Sequence, residues 1–110
     1  MTELADKKCI PCSLGTPPLK GNELTGFLEQ IQNEWELVEE HHLKRKYSFR
    51  NFREALAFTN QIGELAEQEG HHPDLQLGWG QVIITLFTHK IDGLSEADFV
   101  FAAKIDRLTQ

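Results

Sequence analysis

Three histidines bracketed by two carboxylates carry the chemistry open to this chain: Glu67, His71, His72, His89 and Asp98 share one stretch of its 110 residues. An imidazole titrates near neutral pH, so a group of three suits moving a proton on and off a substrate. The spacing also says how they would be held. A helical pattern runs up to Glu69, Gly70 can take the left-handed position just past a helix end, and Pro73 stops the helix from resuming. His71 and His72 are therefore expected in a tight helix exit, with their rings free to face a pocket. At that helix C-terminus the dipole favours the protonated form of His71. A strand-like apolar run over residues 82–88 then delivers His89 at its far end. An alternative makes the three rings nitrogen ligands of one metal ion with an open fourth site. Adjacent side chains diverge in an extended chain, which counts against it.

The elements that must position these residues are legible in the periodicities. Leu24, Phe27, Leu28 and Ile31 recur at helical spacing over residues 23–31. Trp35 and Leu37 alternate with Glu36, and Leu43, Tyr47 and Phe49 alternate with Lys44, Lys46 and Ser48, so two strands follow. His41 and His42 fall near their connection, where an exposed turn is expected. Asn51 is a plausible N-cap for a long helix to Glu69, with Phe52, Ala55, Leu56, Phe58, Ile62, Leu65 and Ala66 on its apolar face. Glu67 lies at the margin of that face, as a pocket-edge carboxylate or an ordinary solvated one. Residues 74–79 and 81–89 read as two strands joined near Trp79, for which core or interface packing is expected. The second is nearly all apolar, which predicts a central strand covered on both faces.

The last helix opens with Ser95-Glu96-Ala97-Asp98, a capping box flanked by Leu94 and Phe99 as a hydrophobic staple. Asp98 thus has a structural task that does not exclude a second one. Ala97, Phe101, Ile105 and Leu108 form one apolar stripe, while Phe99, Val100 and Ala103 lie outside it. A helix apolar on two sides has two partners, and the second is expected to be another subunit of a homo-oligomer. The order helix-strand-strand-helix-strand-strand-helix predicts an α+β fold: a four-stranded antiparallel sheet with three helices on one face.

Composition narrows the rest. One domain is expected over residues 23–110, preceded by an irregular N-terminal arm over residues 1–22 that is rich in Pro and Gly. A net charge of −6 argues against direct nucleic-acid binding. The basic run Lys44-Arg45-Lys46 reads as a solvated strand surface. The longest apolar run is far too short to span a bilayer, and the start lacks a basic segment followed by an apolar one, so no membrane partner and a cytoplasmic location are expected. Cys9 and Cys12 form a Cys-x-x-Cys without a second pair, which predicts reduced thiols in a frayed tail rather than a zinc site.

The pattern Glu67-x3-His71-His72-Pro73-x5-Trp79-x9-His89-x8-Asp98 resembles that of the pterin-4a-carbinolamine dehydratases, also called 4a-hydroxytetrahydrobiopterin dehydratases. A compound pattern of that length is far more specific than a short motif. The resemblance implies a four-stranded sheet packed against three helices, and dehydration of a 4a-hydroxytetrahydropterin to the quinonoid dihydropterin during recycling of the tetrahydropterin cofactor. It implies catalytic roles for His71, His72 and His89, and substrate binding by Glu67, Pro73, Thr88 and Asp98. Such a reaction asks for one acid and one base near neutrality and for no metal, nucleotide or redox cofactor. Members of that family form homodimers or homotetramers. Its animal members also serve as dimerisation cofactors of a homeodomain transcription factor, which leaves a non-catalytic binding or regulatory role as a further alternative.

Overall fold

The structure is a computed structural model that describes residues 4–7 and 17–109. Cys9 and Cys12 lie outside the described residues. Helix α1 (Asn22–Leu28) leads to strand β1 (Glu36–Val38) and strand β2 (His42–Ser48). Helix α2 (Phe52–Glu69) follows, then strands β3 (Asp74–Gly78) and β4 (Gln81–Leu86), and helix α3 (Glu96–Leu108) ends the fold. The strands form one antiparallel sheet in the order β1-β2-β4-β3, the α+β arrangement that the hydrophobic periods predict.

Local chemistry accounts for the boundaries. The Asn51 side chain accepts a hydrogen bond from the Glu54 N–H at 2.9 Å, a cap worth about 1 kcal/mol, and opens α2. Gly70 closes α2 at φ 65°, its N–H bonded to the Ala66 carbonyl. The β1–β2 connection is tight: residues 39–41 separate the last ladder pair, Val38 and His42, and Glu39 and Glu40 both take positive φ (53° and 55°). For glutamate that conformation costs of order 1 kcal/mol per residue, so the surrounding contacts must hold it.

The sheet buries one face. Val82, Ile84 and Leu86 of β4 are fully buried and pair across to Tyr47, Arg45 and Leu43 of β2. Gln81, Ile83 and Thr85, which point the other way, are only half-buried. So β4 is central, but the expected cover on both faces is absent. On α2, Ala55, Phe58, Ile62 and Ala66 are buried, whereas Phe52 and Leu56 are exposed, so its apolar face is narrower than the pattern predicts.

The expectation for α3 needs correction. Phe99, Val100 and Ala103 do not await a second subunit, because all three are buried within the chain. Phe27 of α1 stacks on Phe99 with centroids 5.2 Å apart. The N-terminal segment supplies more of the cover. Leu4–Asp6 form a 3₁₀ turn that packs on α3 with Leu4 and Ala5 buried, fastened by the Lys104 ammonium on the Ala5 carbonyl at 2.8 Å. Part of the arm expected to be irregular is therefore a structured clamp. Burying Phe99 and Phe101 completely contributes about 1.5–3 kcal/mol each. Leu108, assigned to the buried stripe, is exposed.

Arg45 also departs from its expected solvated face. Lys44 and Lys46 are exposed, but Arg45 is buried and donates to Asp106 Oδ1 at 2.8 Å. The same carboxylate accepts from the Trp35 indole at 2.8 Å and the Gln32 N–H at 3.0 Å. Burial pushes the Asp106 carboxyl above its ordinary range, although the Gln32, Trp35 and Arg45 donors pull it down. The arginine plane lies over Tyr47, 4.2 Å from the ring centroid, which completes a polar pin between α3 and the sheet.

Candidate active site

The antiparallel register gathers the site. The start of β3 pairs with the end of β4 through Asp74 and Thr85, and the start of β2 pairs there too through Leu43 and Leu86. His72, Pro73 and Asp74 therefore meet Thr88 and His89 at one end of the sheet. His89 does not end a strand as expected. It opens a 3₁₀ turn (His89–Ile91) after Thr88, and Thr88 bridges back to Gly93.

Asp98 is the hub. It has no exposed surface, and its Oδ2 accepts from the Ser95 N–H at 2.9 Å, the capping-box bond that starts α3. The same oxygen accepts from the Thr88 hydroxyl at 2.8 Å. Its Oδ1 faces His71 Nε2 at 2.7 Å. One carboxylate thus caps the start of α3, ties to it Thr88 just beyond β4, and fixes the His71 ring, whose side chain is 15% exposed and lies edge-on to Phe101. Buried acceptors of this kind set which nitrogen carries the hydrogen. With Nε2 given to Asp98, Nδ1 has no partner among the described residues, and it is the His71 nitrogen free to exchange a proton.

The other expected residues are more open. His72 turns the opposite way and pairs through Nε2 with Glu67 Oε2, both side chains being exposed. Glu67 also lines a surface hollow of about 690 Å³ with Thr59, Gly63 and Leu75, a hollow that none of the three histidines lines. The His89 side chain is 62% exposed, 3.9 Å from Asp74 Oδ2, and lies against Phe87 with centroids 4.2 Å apart. Pro73 is half-buried at the helix exit. Thr88 and Asp98 sit behind this surface, the threonine hydroxyl being shared with Ser95 Oγ at 2.8 Å. Trp79, expected in core or interface packing, is 71% exposed at the β3–β4 turn, so the core reading falls.

The three rings are not arranged as ligands of one ion. His71 and His72 bond to different carboxylates, and among the described residues no group of three or more His, Cys, Asp or Glu side chains could hold a metal. Two residues that the sequence reading set aside do reach the site's edge. His41 and His42 are half-buried rather than exposed, and both pack on Phe87. Only the register of β2 against β4 brings them there, and a local pattern does not reveal that pairing.

Similarity to known proteins runs along nearly the whole chain. The sequence model of the family described as pterin 4 alpha carbinolamine dehydratase matches residues 17–108. This chain belongs to the pterin-4a-carbinolamine dehydratase family. A relative from Alkaliphilus metalliredigens, provisionally named a pterin-4-alpha-carbinolamine dehydratase, is 64% identical over 97% of this chain and 96% of its own. A relative of the same provisional name from Rubrobacter xylanophilus is 63% identical over 98% of this chain and 100% of its own. Among solved structures, a transcriptional coactivator/pterin dehydratase from Brucella melitensis superposes with a TM-score of 0.77 at 28% identity, covering 84% of this chain and 99% of that one. A pterin dehydratase-like protein identified as a RuBisCO assembly factor of the alpha-carboxysome superposes with a TM-score of 0.59, also at 28% identity, over 70% and 90%. The family and its fold therefore extend beyond a single activity.

Proposed function

We propose that this chain dehydrates a 4a-hydroxytetrahydropterin to the quinonoid dihydropterin, in the recycling of a tetrahydropterin cofactor. The observation that carries the reading is the buried Asp98 carboxylate behind His71, with His72 and His89 at the same end of the sheet. A binding protein has little use for a carboxylate that holds one imidazole nitrogen and frees the other. An acid–base catalyst needs it.

The reaction breaks the C4a–O bond and forms a C4a–N5 double bond. Hydroxide is a poor leaving group until it gains a proton, and N5 must lose one, so one group donates and another accepts. His71, oriented by Asp98, exchanges its proton through Nδ1. His89 and His72 supply the second group and a hydrogen-bond partner for the pterin, with Glu67 behind His72 and Pro73 shaping the floor. Thr88 and Asp98 act from behind the rings. The reading includes a cytoplasmic location and a homodimer or homotetramer. The large apolar side chains exposed among the described residues for such an assembly to cover are Phe52, Leu56, Leu77, Trp79 and Leu108 rather than the second face of α3.

The test is decay of the 4a-hydroxypterin released by an aromatic amino acid hydroxylase. Purified protein is expected to accelerate it with or without chelator, and replacing any one of the three histidines by alanine to slow it by roughly one to several powers of ten. A His71→Ala/His89→Ala double variant with wild-type turnover would sink the assignment.

A further inference from the structure

His89 has a less secure mounting than His71. Among the described residues no hydrogen bond reaches its ring, since Asp74 Oδ2 at 3.9 Å is too far for one. Its closest ring neighbour is Phe87, with centroids 4.2 Å apart and planes tilted by 39°. Phe87 in turn packs against His41, with centroids 4.8 Å apart and planes tilted by 41°. His41 is held at both nitrogens. Nε2 faces Asp92 Oδ1 at 2.8 Å, and Nδ1 faces His42 Nδ1 at 3.1 Å, so only one of the two facing nitrogens carries a hydrogen.

Both ends of this clasp stand on backbone that L-residues avoid. Glu39 and Glu40, just before His41, have positive φ, and so does Asp92 (49°). Asp92 is the residue that ends the 3₁₀ turn begun by His89, its N–H bonded to the His89 carbonyl at 3.2 Å. Three left-handed non-glycine residues thus flank one side-chain pair. Such conformations persist only where the surroundings over-determine them.

We propose that His41 is a positioning residue for His89, acting through the ring of Phe87. The β1–β2 hairpin presses His41 onto Phe87, and Phe87 presents a flat apolar face that limits the orientations of the His89 imidazole. The ring contact does this more than the ion pair does. Asp92 is 88% exposed, and a pair that open to solvent is weak. The consequence for turnover rests on the dehydratase reading above, but the consequence for the His89 ring does not. A catalytic group displaced by a fraction of its reach loses rate without losing affinity in proportion.

The test reads the imidazole Hε1 resonance of His89 in the intact protein, because the ring current of Phe87 acts on it directly. In His41→Ala this resonance is expected to move most of the way to its position in Phe87→Ala. In His41→Phe, which keeps an aromatic face and drops the bond to Asp92, it is expected to stay near wild type. A His41→Ala resonance at the wild-type position overturns the proposal. So does a His41→Phe resonance displaced as far as that of Phe87→Ala, a result that stands even where His41→Ala does not fold. In the dehydration assay, His41→Ala is expected to lower kcat about tenfold with KM within about twofold, and to cost less than about twofold in a His89→Ala background. An equal loss in both backgrounds means a merely structural role and also overturns it. If no variant or wild-type protein turns over the pterin, the dehydratase reading fails, while the His89 resonance still decides the positioning.

Discussion

Replacing Asp98 by asparagine separates the two tasks that one carboxylate performs. The substitution keeps size and shape but turns one acceptor oxygen into an NH₂ donor. The Ser95 N–H is a fixed backbone donor, so the remaining amide oxygen must take the Oδ2 position, where it still accepts from Ser95 N and from Thr88 Oγ1. The NH₂ then faces His71 Nε2, which sits 2.7 Å from the carboxylate oxygen it replaces. Two donors cannot meet there. His71 has to present a bare Nε2 and carry its hydrogen on Nδ1, the nitrogen that the proposed mechanism gives to the substrate. Stability suffers modestly, because the cap survives and a charge-assisted bond becomes a neutral one, at a cost of about 1–2 kcal/mol. Turnover suffers far more: the wrong tautomer forfeits the acid–base contribution, typically about 10²–10⁴-fold. Asp98→Ala should cost more stability, because the buried Ser95 N–H loses its acceptor at roughly 1–3 kcal/mol, while Thr88 Oγ1 keeps Ser95 Oγ and the partly exposed His71 ring can turn to solvent. Urea titration and the dehydration assay on the same Asp98→Asn preparation measure both quantities. A folded Asp98→Asn protein with turnover within twofold of wild type would refute the argument and leave the helix cap as the only supported role.

Two further expectations follow from the core. Asp106→Asn strips the buried Arg45 guanidinium of its counter-charge, and should cost about 3 kcal/mol in chemical denaturation; an unchanged midpoint and slope would show that Arg45 finds solvent. Val100→Glu should destabilise the monomer itself by about 3 kcal/mol or more, since Val100 is buried against its own chain, whereas wild-type stability with a lower mass by light scattering would restore α3 as an interface.

Signals confined to a few neighbouring residues were readable in advance. Asn51 and Gly70 bound α2, the Ser95–Asp98 box opens α3, and period-two alternation marks the strands. The helix exit at Gly70 and Pro73 also fixed how His71 and His72 leave α2. Features that depend on distant partners were not readable. The second face of α3 is covered by Phe27 and by a single 3₁₀ turn at Leu4–Asp6, too short and too close to Pro- and Gly-rich sequence to betray itself. Arg45 looked solvated because its partner Asp106 lies in another element, and alternation cannot tell a buried ion pair from an apolar position. His41 and His42 reach the site only because β2 lies beside β4, a choice of strand order that no local pattern records. Trp79 fails for a different reason: it sits between β3 and β4, outside the alternation that assigns a residue to one face of the sheet.

Because the bond that begins α3 and the bond that orients His71 end on the same carboxylate, the orientation of that ring is tied to one helical turn. Helix ends commonly fray, but this one is buried: Leu94, Asp98 and Phe99 have no exposed surface, so opening it means opening the core. Each excursion that releases the Ser95 N–H also loosens Asp98, and with it the ring it steers. On the dehydratase reading, warming should therefore lose the oriented ring together with the fold, and the temperature at which turnover fails should track the melting temperature rather than fall well below it.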